Sequence, residues 1–259
     1  MKATIISIAC VIAVSFSANA SVTDQKADSA YSADDFSRAA ELYRQVIETE
    51  GTSPQLLYNL GNCYYRLGQP GKAILNYERA LRMDPTYSDA RTNLDFVNSR
   101  IVDRPGERGS FMSNTFDRAA TARSANGWAW IAFTLFALAA AGVALYMFAD
   151  AVILRKAGFF GGIAMLILFA GAIVLALRSR SIATDKNVAI ITVPSVILST
   201  SPRDPKDRNE EALLLHEGSR LVILDSISAQ NDSTGMKWLD VQVDNAHRAW
   251  IKSTAVERI

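Results

Sequence analysis

Cysteine and histidine are almost absent from this sequence, which has two of each among 259 residues. Neither His216 nor His247 belongs to a cluster with the spacing of a metal site, and no nucleophile elbow or phosphate-binding glycine loop is present. The alternative is a dyad of His216 with Asp225 or Asp240, but a histidine at a strand end is more often a surface residue. We therefore expect no catalytic residue, no metal and no cofactor, and we predict that the protein is not an enzyme.

An excess of either charge is also missing, since 27 basic side chains face 26 acidic ones. A protein that binds nucleic acid needs a basic surface to replace the counterions of the phosphates. We therefore expect no nucleic-acid partner. The hydrophobic content of 49% and the mean hydropathy of +0.09 are high for a soluble chain, so part of the protein is expected to lie in lipid.

Charged side chains are absent from two long runs, residues 128–149 and residues 157–177. At 1.5 Å per residue each run is about 30 Å long as a helix, which is the thickness of the bilayer core. The short loop of residues 150–156 joins them into a transmembrane hairpin, so both outer ends lie on the same side. Small residues at helical spacing predict close packing of the two helices. They are Ala137, Ala141, Gly158 and Gly162.

The first twenty residues have the pattern of a signal peptide. A lysine at position 2 precedes an apolar run at 5–16, and small residues occupy positions 18 and 20. Twelve apolar residues are too few for a spanning helix, although a retained anchor is the alternative. Export of the chain from residue 21 onward places both hairpin ends outside the cytoplasm and residues 150–156 inside it.

An internal repeat occupies residues 21–102. A shift of 34 residues places Ala39 on Ala73 and Tyr43 on Tyr77, and 34 residues is the period of the tetratricopeptide repeat. The positions of the second copy that match this repeat are Leu57, Leu60, Gly61, Tyr64, Ala73, Tyr77, Ala80 and Pro85. Residues 88–102 follow with apolar residues at helical spacing, which predicts a capping helix.

The first helices of such repeats line an inner face that binds extended peptides or partner helices. In the second repeat this face is predicted to present Gln55, Tyr58, Asn62, Tyr65 and Arg66. The alternative is an ordinary solvated face, because one complete repeat makes a shallow groove. Cys63 has no second thiol or histidine near it in the sequence, so we interpret it as a core residue.

Residues 103–127 form a charged linker that contains Gly and Pro and is followed by an amphipathic stretch. Met112, Phe116, Ala119 and Ala120 recur at helical spacing. This spacing predicts a short helix on the membrane surface.

The last segment, residues 187–259, has no tyrosine or phenylalanine and is built from short β-branched runs. Runs of this kind predict a small all-β barrel. The predicted strands are 188–193, 196–199, 221–227, 239–243 and 249–251. The sequences LHEGSRLVILDS, KWLDVQV and RAWIKSTAVERI resemble bacterial SH3-like domains, although Ala249 replaces a common glycine. Trp238 and Trp250 are interpreted as packing residues of this domain, with a ligand platform as the alternative.

The predicted chain is thus multidomain, with α-helical tetratricopeptide repeats, a two-helix transmembrane hairpin and a small all-β SH3-like barrel. This order resembles the BatE family of the bacterial aerotolerance operon. Together with the export signal, it predicts a scaffold in the bacterial inner membrane with both large domains in the periplasm. The resemblance implies work beside von Willebrand factor A-domain Bat proteins and a MoxR-type ATPase in envelope or oxidative stress. The alternative is a sensor whose SH3-like domain binds peptidoglycan, which the scarcity of aromatic residues in that domain disfavours.

Overall fold

The computed structural model describes residues 22–103, 110–228 and 235–259. The predicted signal peptide at residues 1–20 lies outside the described residues. The remaining architecture has three parts, which are a set of antiparallel helices, a pair of long apolar helices and an antiparallel sheet. The prediction of a multidomain chain with these three kinds of structure is confirmed.

Five antiparallel helices make up the repeat region. They are α1 (Val22–Ser32), α2 (Phe36–Glu50), α3 (Pro54–Arg66), α4 (Pro70–Met83) and α5 (Ser88–Asn98). Local sequence signals set their limits: the side chain of Ser53 accepts a hydrogen bond from the amide of Leu56, and proline follows at the first turn of α3. Gly68, with φ +70°, makes the turn to α4.

The crossing of α3 and α4 explains the small residues of the repeat. A Cβ atom on Gly61 would lie 2.6 Å from the ring of Tyr77, which is itself almost fully buried. Ala73 and Ala80 are fully buried, and Leu57 and Leu60 fill the space around the crossing. Close packing of this kind leaves no room for a larger side chain at these positions.

Three further helices follow. They are α6 (Phe111–Thr121), α7 (Ala125–Phe148) and α8 (Val152–Thr184). Helices α7 and α8 are long and apolar enough to cross a membrane, and most of their side chains are not buried inside the protein. Helix α8 continues to Thr184, so the polar sequence that follows the predicted span 157–177 adds seven residues to the helix.

Small residues allow α7 and α8 to pack closely, but not all of them are the predicted ones. A Cβ atom on Gly142 would lie 2.9 Å from the carbonyl oxygen of Gly158, and Gly162 lies beside the same position. Ala137 and Ala141 are exposed, whereas Ala139 is buried. The prediction for Gly158 and Gly162 thus agrees with the structure, while the contact stripe on α7 is rotated away from the predicted alanines.

The C-terminal part is a seven-stranded antiparallel sheet. Its strands are β1 (Val188–Ile191), β2 (Ser195–Ser199), β3 (Glu211–His216), β4 (Arg220–Ser228), β5 (Lys237–Gln242), β6 (Arg248–Lys252) and β7 (Val256–Arg258). The strand order is β3-β2-β6-β5-β4-β1-β7, so the sheet is open, with β3 and β7 at its edges. The all-β prediction is confirmed in this form. Strands β3 and β7 lie outside the five predicted runs. The sequence of β3, EALLLH, has no β-branched residue, and β7 has only three residues, two of them charged.

The sheet packs directly against the outer side of the repeat. Ile190 in β1 belongs to the same buried cluster as Ile74 and Leu75 of α4. Gly71, at the start of α4, donates its amide hydrogen to the carboxylate of Glu217 over 3.1 Å. A Cβ atom on Gly71 would lie 2.6 Å from the carbonyl oxygen of Ile191. Ile190 is therefore buried in the hydrophobic core of the repeat, while the other inward residues of the sheet form a core of their own.

Candidate protein-binding face

The five predicted partner-binding residues all lie on the side of α3 that faces away from the sheet. Gln55 and Arg66 are exposed, whereas Tyr58, Asn62 and Tyr65 are half-buried. Helix α5 lies beside this stripe, and its own polar residues extend the surface. We use the term inner face for the surface that these α3 residues form together with Asn93, Phe96 and Arg100 of α5.

The N-terminal half of the inner face is held by an internal hydrogen-bond network. The side-chain oxygen of Asn62 accepts from the hydroxyl of Tyr77 over 2.7 Å and from Nδ2 of Asn93 over 2.9 Å. The ring of Tyr58 packs against Tyr77, and Nδ2 of Asn93 lies 3.4 Å from its hydroxyl. Both lone pairs of the Asn62 oxygen are therefore used, and this residue joins α3, α4 and α5.

Gln55 is also engaged within the chain. Its side-chain oxygen accepts a hydrogen bond from the hydroxyl of Tyr87 over 2.6 Å, and its Nε2 donates to Asn59 over 3.1 Å. The rings of Tyr58 and Tyr87 lie 5.3 Å apart. This end of the inner face is therefore preorganised by contacts between α3 and the loop before α5.

The C-terminal half presents aromatic rings and guanidinium groups. The rings of Tyr65 and Phe96 meet edge to face at 5.7 Å, and the guanidinium of Arg100 lies 4.0 Å from the centre of the Phe96 ring. Phe96 remains 43% exposed, which is unusual for a phenylalanine in a small helical domain. A partly open phenylalanine between polar groups has the chemistry of an interface residue.

Arg66 lies on the other side of Tyr65. Its guanidinium is 4.2 Å from the centre of the Phe36 ring and 3.2 Å from a carboxylate oxygen of Asp34. Both partners of this ion pair are largely exposed. Exposed pairs of this kind contribute little to stability, about 0–1 kcal/mol. Arg66 is therefore available to an incoming carboxylate at small cost.

The sequence prediction missed the contribution of α5. Residues 88–102 were expected to form only a cap, and their apolar positions were the signal used. Asn93, Phe96 and Arg100 follow one another at steps of three and four, the same spacing that identified the stripe on α3. The spacing was therefore visible in the sequence, but it gave no sign that α5 lies beside α3.

Cys63 lies away from the inner face, inside the core between α1, α2 and α3. Its side chain is fully buried with Ala27, Ala39, Tyr43 and Leu60. Burial raises the pKa of the Cys63 thiol to about 12. The reactive thiolate is thus scarce at neutral pH, which agrees with a packing role.

The two histidines are partners of nearby aspartates. Nδ1 of His216 lies 3.0 Å from Asp103, at the end of the repeat region, and not beside Asp225 or Asp240. His247 pairs with Asp244 in a turn. In the ranges 22–103, 110–228 and 235–259, no group of three or more His, Cys, Asp or Glu side chains is placed to hold a metal ion.

The two tryptophans of the sheet have different surroundings. Trp238 in β5 is buried, and the amine of Lys252 lies 5.6 Å from its ring centre. Trp250 in β6 is half-buried and stands opposite Asp240 in β5. Neither residue offers a fully open ring for stacking on a ligand.

Comparison with known proteins identifies the repeat. The family model of the tetratricopeptide repeat matches residues 54–87, which include α3, α4 and the loop before α5. A protein SGT1 homolog from Oryza sativa subsp. japonica is 34% identical over 73 residues, which is 28% of this chain and 20% of that protein. The chain therefore spans about a fifth of the length of this relative. Residues 54–87 are thus a tetratricopeptide repeat, and the match does not extend to the whole chain.

Proposed function

We propose that the protein is a non-enzymatic, membrane-anchored scaffold that binds a protein segment on its inner face. The observation that carries this proposal is the group of Tyr65, Arg66, Phe96 and Arg100 on the open side of the repeat. The opposite side is already covered by the sheet of the same chain. A partner that uses the repeat therefore meets the inner face.

The chemistry of this face favours a segment that is both apolar and acidic. Phe96 and Tyr65 offer aromatic area, and Arg66 and Arg100 offer planar guanidinium groups that bind carboxylates in a bidentate manner. Aromatic residues and arginine are also the types that most often dominate binding energy at interfaces. Extended peptides and single helices both fit a shallow helical groove of this kind.

Membrane anchoring through α7 and α8 completes the proposal. The hairpin has an even number of spans, so residues 22–103 and residues 187–259 lie on one side of the membrane. The packing of Ile190 against α4 supports this placement, because it requires both parts to be in the same compartment. The export signal predicted at residues 1–20 makes that compartment the periplasm.

The identity that we propose for the partner is based on the resemblance to the BatE family. We infer that the inner face recruits another membrane protein of the Bat group, such as one with a von Willebrand factor A domain, in aerotolerance or envelope stress. The SH3-like character of the sheet domain is part of the same resemblance. The open antiparallel sheet, with β2 paired to β3, is compatible with it.

Co-purification from membranes tests the proposal. The full-length protein carrying Tyr65→Ala and Phe96→Ala is expected to recover less of its protein partners than the wild type, by about tenfold or more. Arg44→Ala is the matched control, since Arg44 is exposed on α2, away from the inner face. Circular dichroism and thermal unfolding establish that each variant is folded.

Two results would contradict the proposal. Full recovery of every partner by the folded double variant would move the binding role to the sheet domain, where peptidoglycan fragments are the next ligand to test. Equal loss with Arg44→Ala would show that the effect is not specific to the inner face.

A further inference from the structure

A cavity of about 660 Å³ lies where the repeat, the sheet and the ends of the apolar helices meet. Its walls come from α4, α5, α6, the C-terminal turns of α8, and strands β1 and β4. This volume is within the range of sites for small ligands. The cavity is separate from the inner face, which lies on the other side of the repeat.

Arginine dominates the wall of this cavity. Five arginines line it, together with the carboxylates of Glu78, Asp117 and Asp185. The arginines are Arg82, Arg91, Arg118, Arg178 and Arg220. The wall therefore has two positive charges in excess, in a chain whose total charge is close to zero.

The ion pairs neutralise only part of this charge. Arg178 makes a two-bond pair with Asp117, over 2.6 and 2.8 Å, and Arg220 lies 3.3 Å from Glu78. Arg82 donates to the main-chain oxygens of Asp185 and Ile259, and burial lowers its pKa. The carbonyl oxygen of Asp185 satisfies a hydrogen bond of Arg82 but carries no full negative charge.

Arg91 and Arg118 complete the positive wall. Arg91 donates to the carbonyl oxygen of Pro85 over 3.3 Å. Among the residues that the structure describes, neither guanidinium has a carboxylate within ion-pair distance. An anion in the cavity therefore meets two arginines whose charge is not already balanced.

The position of α6 relates the cavity to the membrane surface. Its polar side, with Asn114, Asp117 and Arg118, lines the cavity. Its apolar side carries Met112 and Phe116, which are 75% and 41% exposed. An amphipathic helix of this kind lies with its apolar side in the boundary between headgroups and acyl chains.

The C-terminal end of α8 also indicates that the cavity lies at the membrane surface. The uncharged run ends at residue 177, and the helix then continues through Arg178 to Thr184. At 1.5 Å per residue this extension is about 10 Å long, so it passes through one headgroup layer, which is about 5–7.5 Å deep. The cavity wall formed by Arg178 and Ser181 therefore lies at the level of the lipid headgroups.

We propose that this cavity binds the phosphate headgroup of an anionic phospholipid from the outer leaflet. The headgroup enters beside α8, its phosphate pairs with Arg118 and Arg91, and its chains stay against the apolar helices. The site rests on the membrane anchoring of the proposed function, but it does not depend on the inner face. A bound lipid would join α6, α5 and α8 and hold the repeat at a fixed height above the bilayer.

The test uses the full-length protein in nanodiscs of equimolar phosphatidylcholine and phosphatidylglycerol. Lipids that stay bound after transfer to detergent are identified by mass spectrometry. We expect the wild type to retain phosphatidylglycerol in preference to phosphatidylcholine. Arg91→Gln and Arg118→Gln are each expected to lower this preference about fivefold.

Arg180→Gln is the matched control, because Arg180 is exposed near the same end of α8 but does not line the cavity. Its preference is expected to stay at the wild-type value. Equal loss in Arg180→Gln, or no preference in the folded wild type, would overturn the headgroup site. Circular dichroism checks the fold of each variant.

A second arm separates a lipid from a free phosphate. Inorganic phosphate is added to the protein in nanodiscs of phosphatidylcholine alone, and thermal unfolding is followed. Little stabilisation is expected, since free phosphate lacks the acyl chains. The proposal would be overturned if phosphate strongly stabilised the wild type but not Arg118→Gln, and if phosphatidylglycerol were not enriched. The ligand of the cavity would then be a soluble anion and not a lipid. A chain that does not co-purify with nanodiscs at all would overturn the membrane anchoring itself, whatever partner binding shows.

Discussion

The two sides of the repeat both carry arginines, but the surroundings of these arginines differ. On the α4 side, Arg79 and Arg82 donate to main-chain oxygens at the end of the sheet. On the α3 side, Arg66 and Arg100 lie over aromatic rings at the surface. Arginine thus makes hydrogen bonds to the sheet on the α4 side, whereas on the α3 side it is exposed to solvent.

This difference shows that the exposed surface of a repeat depends on which of its helices the rest of the chain covers. A single tetratricopeptide repeat has two helices, and each has a polar stripe that is free in an isolated unit. Here the sheet covers the stripe of α4, and Ile190 enters the core of the repeat. Only the stripe of α3, with its continuation on α5, is left for a partner.

The largest effect is expected from a change that breaks the α4 side. Gly71→Ala places a Cβ atom 2.6 Å from the carbonyl oxygen of Ile191 and 3.0 Å from the amide of Gly218. Main-chain atoms cannot move aside as a flexible side chain does, so we expect the free energy of unfolding to fall by about 3 kcal/mol or more, the upper end of the range for overpacking. Hydrogen exchange in β1 and α4 should rise together.

Gly171→Ala serves as the control for this change. Gly171 is also a helical glycine, and a Cβ atom there would meet no atom within 4 Å. It should leave exchange in β1 and α4 unchanged. Normal protection of both elements in Gly71→Ala would mean that the repeat and the sheet do not share a rigid contact.

A smaller effect is expected from Asp103, which joins the end of the repeat region to the sheet. Burial disfavours its charged form, but hydrogen bonds from Ser219 and from the amide and ring of His216 prevail. They hold the pKa of Asp103 below its ordinary value of 3.8. Asp103→Asn should cost about 1–3 kcal/mol at neutral pH, because the hydrogen bonds lose their charged acceptor.

The same pKa shift fixes the direction of a pH effect. The carboxylate is charged more readily in the folded than in the unfolded state, so its stabilisation is complete above pH 3.8 and is lost as the pH falls through the lower folded pKa. Thermal unfolding of the wild type and of Asp103→Asn should therefore differ most above this range and converge below it. A constant difference at all pH values would show that the charge of Asp103 has no part in the contact.

The sequence predicted local features better than contacts between distant segments. The 34-residue period and the small residues Gly61 and Ala73 identified the helix crossing, because packing inside one repeat depends on neighbours in the chain. The two uncharged runs predicted α7 and α8 for the same reason. Their spacing did not show which alanines of α7 face α8, since a helix that is apolar on all sides has no preferred stripe.

Contacts between distant segments were not predicted, and they give several residues a structural role that the sequence did not indicate. Asp103 was placed at the start of a linker, but it is bound to His216 and Ser219, 113 and 116 residues away in the chain. Asn62 was assigned to partner binding, and it holds Tyr77 and Asn93. Neither His216 nor Ser219 is marked by a periodic pattern, so only the folded arrangement shows that they meet Asp103.

The smallest effect is expected from a matched pair of arginine substitutions, one on each side of the repeat. Arg79 donates a hydrogen bond of 2.6 Å to the carbonyl oxygen of Arg258, and Glu257 lies 3.7 Å away. Hydrogen bonds to charged groups contribute about 1.5–3 kcal/mol, and partial exposure places Arg79→Ala near the lower limit. Arg66→Ala removes only an exposed ion pair and a ring contact, so its cost should stay within about 1 kcal/mol.

The measurement is chemical unfolding of the full-length protein, with each variant compared with the wild type in the same detergent. Arg79→Ala should lower the midpoint more than Arg66→Ala, while only Arg66→Ala should weaken partner recovery. Both the unfolding midpoint and the partner recovery must be measured, because a residue without any function would also have little effect on stability. A larger loss of stability in Arg66→Ala than in Arg79→Ala would reverse the assignment of the two sides, since the inner face would then be the one that the fold depends on.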